Sequence, residues 1–335
     1  LFVTGYGIWA SRDMRGAAHG GMVHWQFQDR GLEETVPLGL VSPPEGAPLV
    51  SALGDLDGFR HDELDRAPLQ FTAPPRYANS ESIDYAALQP TQLVRSGRLR
   101  KPFGPAIRAA YSQDGGSSWR PFASEPPEGE GAGDIAIGAD GRNVLWKPDG
   151  AAHAYATDDW GAHWTPAQGL SAAARVLADR ADPQRFHAYD PEAGALFVSR
   201  DRGAHFARVG GALGKRVAEL PPERSPRRAM RLYAVPGSAG ELYLAARQGG
   251  LIHARDDGRV LPAGAPVEAA DSLGFGKNAP GQPHPALYLA GKLEGRRGLF
   301  RSDDNGAHWL RINDDAHQFG QIGQVTGDPR RYGRV

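Results

Sequence analysis

Fourteen residues, Ser51 to Leu64 (SALGDLDGFRHDEL), hold the densest set of chemically able groups in this 335-residue sequence. They include Asp55, Asp57, Asp62 and Glu63, with Arg60 and His61 between them. Gly54 and Gly58 flank the Asp55-Leu56-Asp57 triplet, and glycine is expected to let the backbone turn sharply and approach a bound molecule closely. A carboxylate fixed by such a turn at the mouth of a scaffold suits general acid/base chemistry. In an extended segment Asp55 and Asp57 would project to the same side; in a turn they need not. An Asp-rich surface loop is the competing reading. Arg60 and His61 follow the acid, placed either to hold its loop or to contact a bound molecule. An ion pair with Asp62 is the plainer alternative.

The rest of the chain has to position this segment. Its length allows one large domain or two ordinary ones, with 40% hydrophobic and 23% charged residues. That is the composition of a globular protein with apolar mass for a core. A net charge of −1 gives no field that favours nucleic acid or an anionic membrane. No apolar run approaches the roughly 20 residues of a membrane-spanning helix. There is no cysteine, so disulfides and thiolate metal sites are excluded. The 11 histidines show no ligand spacing such as H-E-x-x-H, and no catalytic metal or cofactor is expected. The chain opens in a strand-like run, LFVTGYGIWAS, and stops at RYGRV. Both ends read as cut, so a signal peptide is expected to lie outside the sequence.

Four segments repeat one pattern: Ser or Thr, any residue, Asp, any residue, Gly, two residues, then an aromatic. They start at Ser112, Thr157, Ser199 and Ser302 and end at Trp119, Trp164, Phe206 and Trp309. A worn copy stands at Ala254-Arg-Asp256-Asp-Gly258, and the successive steps are 45, 42, 55 and 48 residues. The pattern is that of a hairpin turn. Asp and Ser side chains bond nearby amides, Gly takes the positive φ, and the aromatic packs the turn on its sheet. It resembles the Asp-box of sialidases and related propellers. Repeats near 45 residues with short strands and abundant Gly and Pro predict four-stranded propeller blades, roughly seven of them. The repeated Asp residues are therefore expected to be structural, and so are the Trp119, Trp164 and Trp309 rings. The stretches 120–133 and 220–228 read as loops, and 170–179 as a loop or a single turn.

A more specific likeness covers nearly the whole chain in order. TGYGIWAS (4–11), GLEET (31–35), residues 36–65 (VPLGLVSPPEGAPLVSALGDLDGFRHDELD) and SIDYA (82–86) resemble glycoside hydrolase family 74. So do residues 274–291, 300–320 and 326–335. The resemblance implies an all-β fold, a seven-bladed β-propeller with Asp-box repeats spanning 1–335. It is similar to the C-terminal one of the family's two propellers and lacks its last strand. It also implies hydrolysis of β-1,4-glucan backbones, chiefly xyloglucan, with inversion and with one acid from each propeller. Gly54-Asp55-Leu56-Asp57-Gly58-Phe59 matches the family's G-D-[ILV]-x-G-F motif, which assigns Asp55 as the general acid. Asp57 departs from the small residue common there, and is placed to contact substrate or to raise the pKa of Asp55. Tyr6, Trp9, Arg60 and His61 are the remaining candidate sugar contacts, with core packing the alternative for Trp9. Asp314, Asp315 and His317 line the cleft or cap a loop.

The expected partners are thus xyloglucan or a related β-glucan and the missing N-terminal propeller, which would hold the general base. No nucleic acid or membrane is expected, and the protein is expected to be secreted by a bacterium. A propeller that binds a glycan or protein without chemistry is the alternative. A sialidase fits poorly, because no F-R-I-P-type segment is present.

Overall fold

The structure, a computed structural model, describes residues 1–335 apart from 5–6, 29–34, 69, 72, 100–106, 221–229, 263, 265 and 321. It divides into two compact units, Leu1–Val36 and Pro37–Val335. The GLEET run, but for its last residue, and most of the 220–228 loop lie outside the described residues.

The smaller unit is a three-stranded antiparallel sheet of β1 (Phe2–Thr4), β2 (Gly7–Ala10) and β3 (Gln26–Phe27). Aromatic residues hold it. Phe2 stacks on Trp9 at 6.2 Å, meets Trp25 edge-on at 4.7 Å, and Trp9 lies 4.9 Å from Phe27.

The larger unit is built from antiparallel meanders of short strands. β4 (Val36–Val41), β5 (Leu49–Gly54) and β6 (Asp57–His61) form the first. β7 (Asn79–Ala86), β8 (Gln89–Arg98), β9 (Ala109–Ser112) and β10 (Arg120–Pro121) form the second. A single parallel pairing, Asp57 with Asn79, joins these two into one seven-stranded sheet. Then come β11 (Asp134–Ile137), β12 (Val144–Lys147), β13 (Tyr155–Thr157) and β14 (Thr165–Pro166), followed by β15 (Arg175–Ala178), β16 (Phe186–Asp190), β17 (Ala195–Ser199) and β18 (Ala207–Arg208). A three-stranded sheet of β19 (Arg231–Ala234), β20 (Glu241–Ala245) and β21 (Leu251–Arg255) precedes a last one. That one holds β22 (Ala269–Gly276), β23 (Ala286–Leu293), β24 (Arg296–Ser302) and β25 (Leu310–Arg311).

The core is a series of apolar layers between consecutive sheets. Trp146, Ile135 and Val144 face Val94 and Phe122; Leu145 and Ala136 face Phe186 and Ala188. Leu244 and Ile252 face Leu196 and Val198, and Tyr243 meets Leu287 and Leu289. Sheets stacked this way bury both faces, which is why strands such as VLWK (144–147) read as continuous apolar runs rather than alternations. The leading strands β7, β11, β15 and β19 lie side by side in succession. The fourth strands are two residues long and two of them contain Pro, as suits an edge with no further ladder to feed.

Two elements depart from the sequence reading. Residues 170–179 contain a turn at 172–173 and then β15, which packs as a leading strand with Val176 and Ala178 inward. An α-helix, α1 (Gly211–Ala218), was not expected. Leu213 and Val217, four residues apart on one face, bury it against the Leu196–Leu244 layer.

The four repeat turns share one geometry, each on the connection from third to fourth strand of its meander. In each, the hydroxyl of Ser112, Thr157, Ser199 or Ser302 donates to the Asp two residues on, at 2.7–2.9 Å. The same oxygen accepts the amide of the Gly four residues on, at 2.8–3.0 Å. The Asp accepts the amide four residues beyond it. Gly116, Gly161, Gly203 and Gly306 all sit near φ +85°, a conformation that favours glycine. In the worn copy Ala254 supplies no hydroxyl. Asp256 is held instead by Arg185 and Arg200, and among the described residues the fourth strand shrinks to a single antiparallel bridge, Ala254 with Val260.

Candidate active site

Asp55 stands at the tip of the β5–β6 hairpin. Leu53 pairs with Asp57, so only Gly54, Asp55 and Leu56 form the loop. The Leu56 amide donates to the Gly54 carbonyl at 2.8 Å, and the Gly58 amide to the Leu56 carbonyl at 2.9 Å. Asp55 and Asp57 sit at the centres of these two bonds, each with φ 65°. Two positive-φ γ-turns in succession are a rare and strained connection. The sharp turn was expected of the flanking glycines, but the two aspartates carry it. Aspartate accepts this region better than most residues because its short polar chain bonds locally. Gly58 does a different job. A Cβ there would lie 2.2 Å from the Ser51 carbonyl, so its lack of a side chain lets β5 and β6 close.

The strained loop is braced from outside. The Asn79 side-chain oxygen accepts the Asp55 amide at 2.8 Å. The Gln70 side chain donates to the Leu56 carbonyl at 2.5 Å, and the Phe71 amide to the Gly58 carbonyl at 3.1 Å. The Asp55 side chain is exposed, and its carboxylate has no hydrogen bond or ion pair among the described residues.

Asp57 is fully buried, and this overturns its expected role as a substrate contact. Its carboxylate pairs with the fully buried Arg95 guanidinium, and accepts the Ser80 hydroxyl at 2.7 Å and the Tyr77 amide at 3.1 Å. Arg95 also donates to the Pro75 carbonyl at 2.8 Å. The rings of Phe71, Tyr77 and Trp119 surround its guanidinium at 4.5–4.8 Å. Burial pushes the Arg95 pKa down from its usual value against the pull of Asp57 and Tyr77, and pushes the Tyr77 phenol up. Asp57 thus anchors the foot of the turn whose tip is Asp55.

Arg60 and His61 are not at the Asp55 end at all. β6 leaves the turn at Asp57, and four residues at about 3.3 Å each put His61 roughly 13 Å down the strand. β7 runs parallel to β6, β8 returns, and β9 runs down again, so the turn at Asp114 lies at the far end. Arg60 donates there, to the Gly115 carbonyl at 3.1 Å, and pairs with Asp62 at 2.6 Å. His61 meets the Ser51 hydroxyl at 3.1 Å, and burial lowers its pKa. The ion pair with Asp62 is therefore the reading that holds for Arg60, and the structure takes both residues out of the acid's surroundings.

Trp9 is half-buried within the aromatic cluster of the smaller unit, and Tyr6 lies outside the described residues. Asp314 accepts the amides of Ala316 and His317 at 3.0 and 2.8 Å, while Asp315 pairs with Arg311 at 2.7 Å. That is a capped loop. Asn79 and Arg95 were missed. Nothing in NSESI or LVRSG distinguishes a loop brace or a buried cation from an ordinary polar strand position. Among the described residues no three His, Asp or Glu side chains converge as metal ligands would.

No protein-family model matches the chain. Curated relatives do. A xyloglucanase from a Paenibacillus species is 39% identical over 341 residues, covering all of this chain and 32% of that protein. The xyloglucanase of Acetivibrio thermocellus is 38% identical over 336 residues, covering all of this chain and 38% of that protein. Among solved structures, the GH74 xyloglucanase from Xanthomonas campestris matches with a TM-score of 0.83 and 50% identity. That match covers 99% of this chain and 46% of the other. The GH74 enzyme of Niastella koreensis matches with a TM-score of 0.77 and 32% identity over 93% of this chain and 42% of the other. The chain thus spans about a third to a half of the length of the proteins it matches.

Proposed function

On the premise that this chain belongs to glycoside hydrolase family 74, as one part of such a protein, we propose that it supplies half of a xyloglucan-cleaving site. The bond cleaved is in the β-1,4-glucan backbone, and Asp55 is the general acid. The observation that carries this reading is the contrast within one turn. Asp57 is buried and saturated with donors, while Asp55, two residues away, is exposed with its carboxylate free and its backbone braced. A group that only held the turn would be bonded, as Asp57 is.

Inversion needs a second carboxyl, about 6.5–9.5 Å away, to activate water. We place that general base in the other part of the protein, since the burial of Asp57 removes the neighbouring candidate. The meanders support a propeller reading. Dividing the seven-stranded sheet at its parallel link and counting β1–β3 gives seven, and the four repeat turns are read as Asp-boxes. We also place the reaction outside the cell, because a polymer of this size does not cross a membrane.

The test is reducing-sugar release from xyloglucan by the full protein, its Asp55→Asn variant and residues 1–335 alone. Asn keeps the shape and φ of Asp55 but cannot donate the proton. Loss of proton transfer alone is expected to cost about 10²–10⁴-fold in kcat. Residues 1–335 alone, with one acid and half a cleft, are expected to release almost nothing. Strong release by them would place both carboxyls in this chain.

A further inference from the structure

The strand that begins beside the acid's turn serves both of its aspartates. Asn79 opens β7 and pairs with Asp57, the residue at the foot of the turn. Successive residues of a strand face opposite ways. Ser80 is buried, and its hydroxyl donates to the Asp57 carboxylate at 2.7 Å. Asn79 is half-buried and reaches the tip, where its side-chain oxygen accepts the Asp55 amide at 2.8 Å. From another segment, the Gln70 side chain donates to the Leu56 carbonyl at 2.5 Å. Two carboxamides thus hold the peptide groups before and after the Asp55-Leu56 pair.

These bonds do different work from the buried cluster below. Asp57, Arg95, Ser80 and the Tyr77 amide fix the foot of the turn without the Asn79 side chain. The Asp55 amide is at the surface, so water can take the place of Asn79 there at little cost to folding. Water does not replace direction. Asp55 sits at φ 65°, and its carboxylate makes no bond of its own among the described residues. The place of the carboxyl group is therefore set by its backbone. Misplacing a catalytic group by about 1 Å costs up to about 10²-fold in rate. The residue type also fits the task. An amide accepts this bond without a charge, whereas a carboxylate there would stand as a like charge beside Asp55.

We propose that Asn79 is a positioning residue for the proton transfer. Its side-chain oxygen holds the Asp55 backbone so that the exposed carboxyl meets the leaving oxygen of the bond that is cleaved. In this role it touches neither sugar nor reacting atoms and acts through Asp55 alone. The assignment rests on the reading of Asp55 as general acid above. A bond that aims the acid contributes in the transition state and not to substrate binding, so its loss lowers kcat and spares KM.

The experiment measures kcat and KM on xyloglucan for the full protein and its Asn79→Ala, Asn79→Asp and Asp55→Asn variants, and for Asn79→Ala combined with Asp55→Asn. Each is compared at its own pH optimum, with its melting temperature. Asn79→Ala is expected to lower kcat about 10–10²-fold with KM within about twofold and the melting temperature within about 3 °C. Asn79→Asp keeps an acceptor oxygen in the same place and is expected to recover kcat to within about threefold of wild type. In the Asp55→Asn background, Asn79→Ala is expected to cost nothing further, because residues that act as a unit are not additive. A wild-type kcat in Asn79→Ala, or a raised KM in place of a lowered kcat, would overturn the positioning role. So would no recovery in Asn79→Asp, or a full further loss in the double variant. In each of these cases an inactive Asp55→Asn leaves the general acid standing. Wild-type turnover in Asp55→Asn would remove the acid itself, and the positioning role with it. A wild type that does not cleave xyloglucan would do the same.

Discussion

Two aspartates two residues apart share a φ of 65° and divide the work of one turn. Their strain gives a prediction that contacts alone would not. Asn tolerates the left-handed region nearly as well as Asp, so Asp55→Asn should change stability by no more than about 0.5 kcal/mol. A β-branched residue tolerates it poorly, and Asp55→Val should cost about 1–3 kcal/mol although no side-chain bond is lost. Urea unfolding of the two variants checks this; equal midpoints would mean the turn relaxes freely. Asp57 behaves oppositely. Asp57→Ala leaves the Arg95 guanidinium buried without its partner, a loss of about 3–5 kcal/mol. The same measurement settles it, and a loss below about 1 kcal/mol would mean that water or another group reaches Arg95. At this scale the sequence was legible only in part. The GDLDGF stretch marked the turn and its acids, but residue types could not show which carboxylate faces out. Burial of Asp57 is decided by Arg95 in β8, 38 positions away, and by a ring cage drawn from three further segments.

The repeat turn is the element that recurs, and its local chemistry is why it could be read from the sequence. The hydroxyl and carboxylate bonds that shape it lie within four residues, so type and spacing suffice. The carboxylates are shaped by it. Burial acts to raise Asp114, Asp201 and Asp304, but the hydroxyl and amide donors of the turn outweigh it and hold all three low. The aromatic closes each turn onto its sheet. Trp164 lies 5.6 Å from Phe122 and 5.7 Å from Trp146, and its N–H donates to the Ser124 carbonyl at 3.2 Å. Trp164→Ala should therefore lower stability by about 2–3 kcal/mol, toward the low end for a large aromatic because the ring is half-buried. It should leave glycan affinity unaltered in the folded fraction. Lost affinity with an unmoved melting temperature would contradict the structural role. β15 and α1 were not legible, for related reasons. Ala-rich residues 170–179 carry a single β-branched residue, Val176, too weak a strand signal, and the Gly residues at 210, 211 and 214 mask a helix whose buried face is only Leu213 and Val217.

Across the molecule, acidic groups tie one sheet to the next. Asp179 accepts the Gly240 amide at 2.8 Å and meets His187 at 3.1 Å. Burial acts to raise its pKa, yet these donors bring it down to about 2 from 3.8. Glu241, bonded to His253 at 2.7 Å and to Ser238, is likewise drawn down to about 2 from 4.5. A depressed folded pKa stabilises above the unfolded value and ceases to as pH falls through the folded one. Stability should thus hold down to about pH 4.5 and fall between there and about pH 2. Melting curves across that range test it; a melting temperature flat to pH 2 would mean these pairs add nothing. The all-β class and the repeat spacing were visible in the sequence because each sheet is made of consecutive strands. The far-apart positions of Asp55 and Arg60–His61 were not, since neighbours in sequence lie at opposite ends of a strand.

The central claim is that Asp55 donates the proton, and single-turnover cleavage of xyloglucan by the full protein tests it most directly. Asp55→Asn is compared with wild type on substrates bearing a poor and a good leaving group. The account predicts near-complete loss on the poor leaving group, a much smaller loss on the good one, and substrate affinity within about threefold of wild type. Equal losses on both substrates, or wild-type turnover in Asp55→Asn, would contradict it.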